Sequence, residues 1–377
     1  MGYLNHPKQA IYYLLERGHL SRKSLVDGDA IAHEISSRHK NVAVTAGSEG
    51  GHFLKSIQFQ MPMASATLQR EAALYLTIRQ DQELAFLSEL MPKLHSFDPQ
   101  RGMLVIEHIP HSENLGAFLR RTGNLSETIL ARLGNALAIC HSQTQQKLLD
   151  ENRKSRFRSF LPVQLPWALM MPLAQNNLIV NLSAANAQML RILQQYPDFS
   201  SRLETLRGNW NASSLIHGDM KFDNCLLSFP QGQDSDPIIK LIDWEIADIG
   251  DPLWDVAGIL QSCLLLWAAS SAKDSQQNGM PSFHETPRLD ISYSLKDIQK
   301  PMRAFWNSYA DNIQISPNSR PPLIERALQY SAARIIQSVF EMNYVTGILS
   351  SHSAMLLQLS LNILVKPNAA VEQLLDL

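Results

Sequence analysis

The sequence predicts an α+β protein in which a small strand-rich region precedes a larger helical region. Short β-rich runs separated by polar or glycine turns occur between residues 28 and 110, at 30–35, 42–46, 52–57 and 103–109. From residue 126 onward, apolar residues recur at helical spacing, at 126–141, 184–193, 256–269 and 324–349. Two short strands, at 224–229 and 238–242, interrupt this helical part.

The 377-residue chain is long enough for two domains with separate cores. We expect an N-terminal lobe over residues 1–110, with a leading helix, an antiparallel sheet and one further helix at 66–76. The amphipathic pattern predicts that the leading helix is continuous over the first 27 residues. A helical C-terminal lobe is expected over 111–377, with a polar insertion loop at 274–297.

Composition excludes several classes of protein. The 33 basic and 35 acidic side chains give a net charge of −2, which excludes a strongly basic nucleic-acid binder. Three scattered cysteines fit buried thiols in a reducing compartment better than a disulfide or zinc framework. We find no signal peptide, and the most apolar stretch, at 256–269, is too short to span a bilayer. We therefore expect a cytoplasmic protein without nucleic-acid or membrane partners.

One motif carries the chemistry of the helical region. Residues 216–224 read Ile-His-Gly-Asp-Met-Lys-Phe-Asp-Asn, and an apolar strand and turn lead from there to Asp243. The pattern H-G-D-x₄-N arises by chance in a chain of this length with a probability on the order of 10⁻³. Phosphoryl transfer needs a group that orients and deprotonates the acceptor hydroxyl, and metal ions that neutralise the phosphates. Asp219, Asn224 and Asp243 are the residue types for both tasks, because Mg²⁺ prefers hard oxygen ligands.

This segment resembles the catalytic core of the aminoglycoside phosphotransferase and choline kinase family, which shares the bilobal protein-kinase-like fold. The resemblance is specific over residues 216–258 and extends over most of the chain. It implies that Asp219 is the catalytic base, that Asn224 and Asp243 bind Mg²⁺, and that His217 buttresses the loop. It also implies that Asp255 caps the following helix and hydrogen-bonds the catalytic loop.

Lys221 departs from the small-molecule kinases of this family, which usually lack a lysine there. Protein kinases carry a lysine two residues after the catalytic aspartate, where it touches the γ-phosphate. We therefore include Lys221 among the candidate catalytic residues, as an indication of a peptide-like or otherwise unusual acceptor.

The resemblance also assigns the nucleotide-binding residues upstream. Lys55 lies in a predicted strand where the lysine for the α- and β-phosphates belongs. Glu71 is its expected partner, with Glu83 and Glu89 as alternatives. The segment from Glu107 to Ile109 resembles the hinge whose backbone binds adenine. The loop at 36–41 would cover the phosphates, but it lacks the glycine-rich pattern of protein kinases.

The sequence thus predicts an ATP- and Mg²⁺-dependent kinase that phosphorylates a hydroxyl group. Two acceptor classes remain open, a small molecule and a Ser or Thr of a precursor peptide. The second class follows from a similarity to stand-alone kinases of lanthipeptide and thioamitide pathways, and it would imply a partner lyase. Trp244 is expected in the core or at the border of the acceptor cleft. The alternative from another functional class is a pseudokinase that binds nucleotide or serves as a scaffold.

Overall fold

The computed structural model describes residues 6–36, 41–47, 50–56, 62–171, 182–229, 236–276 and 292–377. Residues 37–40 of the candidate phosphate-covering loop lie outside this described part. The same holds for residues 277–291 of the predicted polar insertion.

Helices and strands follow one another along the described residues in an order typical of an α+β protein. The helices are α1 (Pro7–Glu16), α2 (Arg22–Val26), α3 (Pro62–Gln80), α4 (Ala85–Leu90), α5 (Leu115–Thr122), α6 (Glu127–Lys147), α7 (Glu151–Arg158), α8 (Trp167–Met170), α9 (Ala184–Gln195), α10 (Pro197–Gly208), α11 (Leu253–Gln276), α12 (Leu295–Asn312), α13 (Arg320–Met342), α14 (Ser351–Val365) and α15 (Pro367–Leu375). The strands are β1 (Ala30–Ser36), β2 (Asn41–Ala46), β3 (Gly51–Ser56), β4 (Leu94–Asp98), β5 (Met103–Glu107), β6 (Ser112–Asn114), β7 (Ser214–Ile216), β8 (Cys225–Ser228), β9 (Ile238–Leu241) and β10 (Asp248–Gly250).

The chain divides into two compact units. Unit 1 comprises Met1–Asn114, Asp150–Leu161 and Asn224–Ala247, and unit 2 comprises Leu115–Leu149, Pro162–Asp223 and Asp248–Leu377. Unit 1 contains an antiparallel sheet in the order β1-β2-β3-β5-β4 and a smaller sheet in the order β6-β8-β9. Unit 2 is mostly helical, with the strand pair β7 and β10. The predicted α+β class, a small antiparallel sheet and a mostly helical remainder, is confirmed.

The N-terminal segment forms two helices, so the prediction of one continuous helix over the first 27 residues is wrong. Helix α1 ends before Gly18, whose φ of +71° lies in the left-handed region that favours glycine. The His19 amide then donates to the Leu14 carbonyl at 2.8 Å. Ser21 caps the separate helix α2 by accepting from the Ser24 amide. Apolar residues of α1, among them Leu14, pack with Val44 and Leu54 of the sheet.

Unit 2 is built around long buried helices. Helix α6 packs against α12, while α13 packs against both α11 and α14. The apolar segment predicted as one helix at 324–349 is interrupted: α13 ends at Met342, where the Asn343 side chain donates to the Val339 carbonyl at 2.7 Å. Ser350 then caps α14 by accepting from the Ser353 amide. The prediction of helix through residue 349 is therefore wrong at its C-terminal end.

Burial explains the most apolar helix and the cysteines. Within the described residues, the segment Leu253–Ser270 of α11 is long and apolar enough to cross a membrane, so the expectation that this stretch is too short is wrong. However, 78% of the segment is buried inside the protein. Packing in a core therefore accounts for its composition. The bent pair α14 and α15 also passes the same test if it is taken as one span. All three cysteines, Cys140, Cys225 and Cys263, are buried free thiols, as predicted.

Helix α6 approaches α12 so closely that position 134 must be glycine. A Cβ added to Gly134 would overlap the Phe305 carbonyl oxygen and lie 3.1 Å from the Tyr309 amide nitrogen. We predict that Gly134→Ala lowers the free energy of unfolding by about 1–3 kcal/mol, the typical cost of overpacking. Urea-induced unfolding measures this change.

The matched control is Gly208→Ala at the end of α10, where a Cβ meets no atom within 4 Å. This variant should leave stability unchanged or raise it by up to about 1 kcal/mol. Equal stability of the two variants would contradict the close approach of α6 and α12.

Candidate functional site

Unit 1 holds a buried ion pair between Lys55 and Glu71. Lys55 lies on β3, which is hydrogen-bonded to β2 on one side and β5 on the other, so its position in the sheet is fixed. Its Nζ donates to both carboxylate oxygens of Glu71, at 2.8 and 2.7 Å. Lys55 is 8% exposed and Glu71 is fully buried. The expected pairing is present, and Glu71 rather than Glu83 or Glu89 provides the carboxylate.

Asp243 adds a second carboxylate to the same ammonium group. The Lys55 Nζ donates to Asp243 Oδ1 at 2.6 Å. Asp243 follows β9 and has a φ of +69°, an uncommon conformation for a residue other than glycine. Such backbone strain occurs mainly at functional sites, where the surrounding structure imposes it. The Asp243 side chain remains 39% exposed, so it is accessible to a ligand as well as to Lys55.

The pKa shifts in this cluster follow from two carboxylates that share one ammonium. Burial lowers the pKa of Lys55, but Glu71 and Asp243 outweigh this effect and raise it overall. Burial raises the pKa of Glu71, and Asp243 adds to this effect, whereas Lys55 opposes it. Burial raises the pKa of Tyr75 well above its usual value, and the same two carboxylates contribute. The cluster therefore has an excess of negative charge that one further cation would balance.

Asn224 lies beside Asp243 at the end of the β8–β9 hairpin. Cys225 pairs with Leu241 in this hairpin, and the Ile242 amide donates to the Asn224 carbonyl at 3.0 Å. The antiparallel register thus brings the Asn224 residue next to the turn that carries Asp243. An amide oxygen and a carboxylate beside an excess negative charge fit Mg²⁺, which needs one or two protein ligands besides phosphates and water. Among the described residues, no group of three or more His, Cys, Asp or Glu side chains is arranged to hold a metal ion.

The predicted hinge residues Glu107 and Ile109 lie at and after the end of β5. The Glu107 amide donates to the Lys93 carbonyl at 2.8 Å, and its carboxylate accepts from the Lys93 amide at 3.1 Å. The Ile109 carbonyl accepts from the Ser112 hydroxyl at 2.7 Å. These contacts engage the side chain and amide of Glu107 and the carbonyl of Ile109.

Unit 2 holds the HGD loop, residues 217–221, which follows β7. His217 is fully buried, and its Nδ1 accepts from the Asp219 amide at 3.3 Å. Gly218 has a φ of +82°, which favours glycine at the sharp turn before Asp219. The Asp219 side chain is 31% exposed, and the Lys221 Nζ donates to its Oδ2 at 2.6 Å. His217, Asp219 and Lys221 are thus brought together, with His217 inside and Asp219 at the surface.

Asp255 of α11 fixes the start of the HGD loop. Its Oδ2 accepts from the His217 amide at 2.6 Å and its Oδ1 accepts from the Gly218 amide at 3.0 Å. His141 of α6 lies 3.2 Å from Oδ2. Burial opposes the charge of Asp255, but His141 and the loop contacts hold its pKa below the usual range. The expected contact with the loop is present, whereas Asp251, not Asp255, accepts from the Leu253 amide at the start of α11.

Arg334 of α13, which sequence reasoning missed, fixes the rest of the HGD loop. Its Nη1 donates to the Gly218 carbonyl at 3.0 Å and its Nη2 donates to the Met220 carbonyl at 2.9 Å. Nη2 also lies 3.7 Å from Asp219 Oδ1. Burial lowers the pKa of Arg334, and the surrounding carboxylates oppose this shift. The one available signal was a cation inside the apolar run Ala-Ala-Arg-Ile-Ile at 332–336.

Gly258 in unit 2 and Trp244 in unit 1 are each packed within their own unit. A Cβ added to Gly258 would overlap the Met220 carbonyl oxygen, so α11 can pass the HGD loop only with glycine there. Trp244, in unit 1, is fully buried and donates to the Leu241 carbonyl at 2.9 Å. The predicted core position of Trp244 is confirmed.

Comparison with known proteins gives a family and a fold. A model of the phosphotransferase enzyme family, APH, matches residues 31–280. The chain is similar in structure to an ethanolamine kinase from Plasmodium vivax, with a TM-score of 0.58 and 13% identity over 97% of this chain and 91% of that chain. It is also similar to a choline kinase from Cryptosporidium parvum, with a TM-score of 0.54 and 11% identity over 97% and 96% of the two chains. For APH(2″)-IIa in a ternary complex with streptomycin and ATP, the TM-score is 0.50 and the identity 12%, over 96% and 99%.

Two curated proteins match a shorter region. They are acyl-CoA dehydrogenase family member 11 from Homo sapiens, 30% identical over 107 residues, and from Pongo abelii, 29% identical over 108 residues. Each match covers 27% of this chain and 13% of the relative. The aligned part of this chain is thus a small fraction of those proteins. The structural similarities, at 11–13% identity, show a shared fold.

The family-model match is the stronger result, because it spans well over half of the 377 residues. It also contains Lys55, Asp219 and Asp243. The chain therefore belongs to the phosphotransferase enzyme family, as its sequence motif predicts.

Proposed function

We propose that this phosphotransferase transfers the γ-phosphate of ATP to a hydroxyl group of a small molecule. The observation that carries the proposal is the Lys55 ammonium held between Glu71 and Asp243 in unit 1. A buried cation with two carboxylate partners is costly to assemble, and such clusters occur preferentially at functional sites. Membership of the phosphotransferase family and fold similarity to kinases for small alcohols support the same function.

In this proposal, the residues of unit 1 hold the nucleotide. Lys55 contacts the α- and β-phosphates, Glu71 keeps its ammonium in place, and the backbone from Glu107 to Ile109 binds adenine. Asn224 and Asp243 would hold Mg²⁺, which neutralises charge between the β- and γ-phosphates when it is bound. The excess negative charge around Lys55 supports this assignment, because it favours a divalent cation at the site.

The HGD loop of unit 2 provides the acceptor side of the reaction. Asp219 accepts the proton of the acceptor hydroxyl while the hydroxyl oxygen forms a bond to the γ-phosphorus. The bond from the γ-phosphorus to the β–γ bridging oxygen breaks, and ADP leaves. Lys221 contacts the transferred phosphate, and His217 supports the loop from the buried side. The partial exposure of Asp219 and Lys221 is compatible with these roles.

Two other functions are separated from this proposal by experiment. Transfer to Ser or Thr of a precursor peptide would bring in a partner lyase, and the presence of Lys221 is its sequence indication. A pseudokinase would bind nucleotide without transferring phosphate, although the base and metal candidates are all present in the sequence.

A cytoplasmic location is part of the proposal, since the substrate ATP is abundant there.

The first functional prediction concerns nucleotide binding. ATP with Mg²⁺ should raise the melting temperature, because a ligand at about a hundred times its Kd stabilises the native state by about 2.7 kcal/mol. ATP with excess chelator should produce a much smaller rise, and so should ATP with Mg²⁺ added to Asp243→Asn. The matched control is Asp236→Asn, an exposed carboxylate near the start of β9. A full rise with Asp243→Asn would contradict the assignment of Asp243 as a residue that would hold Mg²⁺.

The second functional prediction separates chemistry from nucleotide binding. Asp219→Asn keeps the size of the side chain but removes the base, so turnover should fall by about 10²- to 10⁴-fold. The ATP-induced rise in melting temperature should stay unchanged. Asp223→Asn serves as the control, because Asp223 is exposed and lies 3.9 Å from its partner Arg120. Wild-type turnover by Asp219→Asn would refute the assignment of the base.

The third functional prediction concerns Arg334. Lysine at this position has one ammonium and cannot bridge the Gly218 and Met220 carbonyls as the planar guanidinium does. Arg334→Lys should therefore leave a buried carbonyl unsatisfied and lower the free energy of unfolding by about 1–3 kcal/mol. It should also lower kcat by at least about tenfold with an unchanged KM for ATP. The control is Arg320→Lys at the start of α13, because the half-buried Arg320 also binds a carboxylate and a carbonyl, those of Asp311 and Ile315, but lies outside the HGD loop contacts. An unchanged kcat would show that the guanidinium does not position the loop.

A further inference from the structure

A recess beside Asp219 lies between helices α11 and α13 of unit 2 and has a volume of about 90 Å³. The HGD loop contributes Asp219 and Lys221 at one end. Its walls are formed by Ser262 and Leu265 of α11, and by Gln337, Ser338 and Glu341 of α13. Arg334 and Gln261 form its floor.

The floor is a closed hydrogen-bond network. Arg334 Nε donates to Gln261 Oε1 at 3.0 Å, and Gln261 Nε2 donates to the Arg334 carbonyl at 2.9 Å and to Ser338 Oγ at 2.7 Å. Two further nitrogens of Arg334 are engaged with the HGD loop carbonyls. The guanidinium is therefore committed to the protein. Ser338, which accepts from Gln261, can still donate its own hydroxyl proton into the recess.

The walls contain several side chains that can form hydrogen bonds with a ligand. Gln337 Nε2 donates to Glu341 Oε1 at 2.8 Å, so the Gln337 carbonyl oxygen and the second Glu341 oxygen can accept hydrogen bonds from a ligand. The Ser262 hydroxyl donates to the Gly258 carbonyl at 2.8 Å and keeps its lone pairs for a ligand donor. Leu265 provides an apolar contact. Donors, acceptors and one apolar side chain thus surround a small volume.

The charges of the recess balance. Lys221 and Arg334 are positive, Asp219 and Glu341 are negative, and the remaining lining residues are neutral. A polycationic acceptor requires an acidic surface, which the described residues of this recess do not form. A quaternary ammonium is recognised by aromatic faces. In the part of the chain that the structure describes, the residues that line the recess include no aromatic side chain.

We propose that this recess binds the phosphate acceptor and that the acceptor is an uncharged polyhydroxylated small molecule, a sugar or a polyol. The inference rests on the proposed kinase function. Each hydroxyl of such a molecule both donates and accepts, which matches the mixed groups of Ser262, Gln337 and Ser338. One hydroxyl meets Asp219 and gives up its proton to it as the oxygen–phosphorus bond forms. The C–H groups of the molecule pack on the Leu265 side chain.

The test offers Mg²⁺-ATP and four separate acceptor pools to the full chain. They are neutral polyols (glucose, ribose, glycerol and myo-inositol), choline with ethanolamine, aminoglycosides, and Ser/Thr-rich peptides. Phosphorylated products are identified by mass spectrometry and ADP formation is measured. We expect products from the neutral pool and a rate at least about tenfold lower with every other pool.

Variants of the walls connect this result to the recess. Gln337→Ala and Ser338→Ala each remove one hydrogen bond to the acceptor, so each should raise the KM for the neutral acceptor by about 2- to 10-fold. The KM for ATP should not change. The control is Gln358→Ala on α14. Gln358 donates to Asn362 four residues later, as Gln337 donates to Glu341, but it does not line the recess.

The outcomes distinguish this inference from the proposed function. Transfer to choline, aminoglycosides or peptides in preference to neutral polyols overturns the inference and leaves the kinase function in place. A preference for neutral polyols with an unchanged acceptor KM in both wall variants also overturns the assignment of the recess. ATP binding without transfer to any pool overturns the inference and favours a pseudokinase. No ATP-dependent change in melting temperature refutes the proposed function itself.

Discussion

The HGD loop depends on two buried side chains that satisfy its backbone. Residues 217–220 form no helix or strand. His217 and Met220 are buried and the two residues between them are half-buried, so the amides and carbonyls of the loop need partners other than regular hydrogen-bond ladders. Asp255 accepts from two amides of the loop, and Arg334 donates to two carbonyls. A carboxylate can only accept and a guanidinium can only donate, so neither can replace the other. The loop is thereby fixed by α11 and by α13.

This arrangement also explains which neighbours are small or buried. Gly258 lets α11 pass close to the Met220 carbonyl, where any larger residue would displace the acceptor of Arg334. Trp254 donates to the Gly218 carbonyl at 3.0 Å, and its ring lies 5.0 Å from the Arg334 guanidinium carbon. The Gly218 carbonyl thus accepts from both side chains. Substitutions around the loop should therefore be strongly coupled, because the same few atoms are shared.

The sequence predicted the acidic and amide residues of the site because their chemistry is concentrated in one short motif. Asp219, Asn224 and Asp243 stand at spacings that only a few kinds of chemistry require, and Lys55 could be located by its place in a strand. Local patterns also made three other features predictable: the positions of the strands, the α+β class and the family. The roles assigned to the site residues and the lobe boundaries at 1–110 and 111–377 stay predictions.

Features that depend on contacts distant in sequence were not predictable from the sequence. Arg334 follows Asp219 by more than a hundred residues, and the apolar run around it indicates burial but does not name the loop that it contacts. The need for glycine at position 258 was not predictable for the same reason, because only the approach of the Met220 carbonyl requires it. The N-terminal helix was misjudged for another reason. Gly18 adopts a left-handed conformation that ends α1, and an amphipathic pattern on both sides of it concealed the break.

The position of Asp219 between two cations connects loop structure to chemistry. Lys221 lies 2.6 Å from one of its oxygens and Arg334 lies 3.7 Å from the other. Lys221 is 44% exposed, whereas Arg334 is buried and held by three acceptors besides the Asp219 carboxylate. In the proposed function, Lys221 turns to the incoming phosphate, and the outer oxygen of Asp219 then becomes available to the acceptor hydroxyl while Arg334 remains its positive neighbour. The proposal thus assigns the buried cation to holding the base and the exposed cation to releasing it for the reaction.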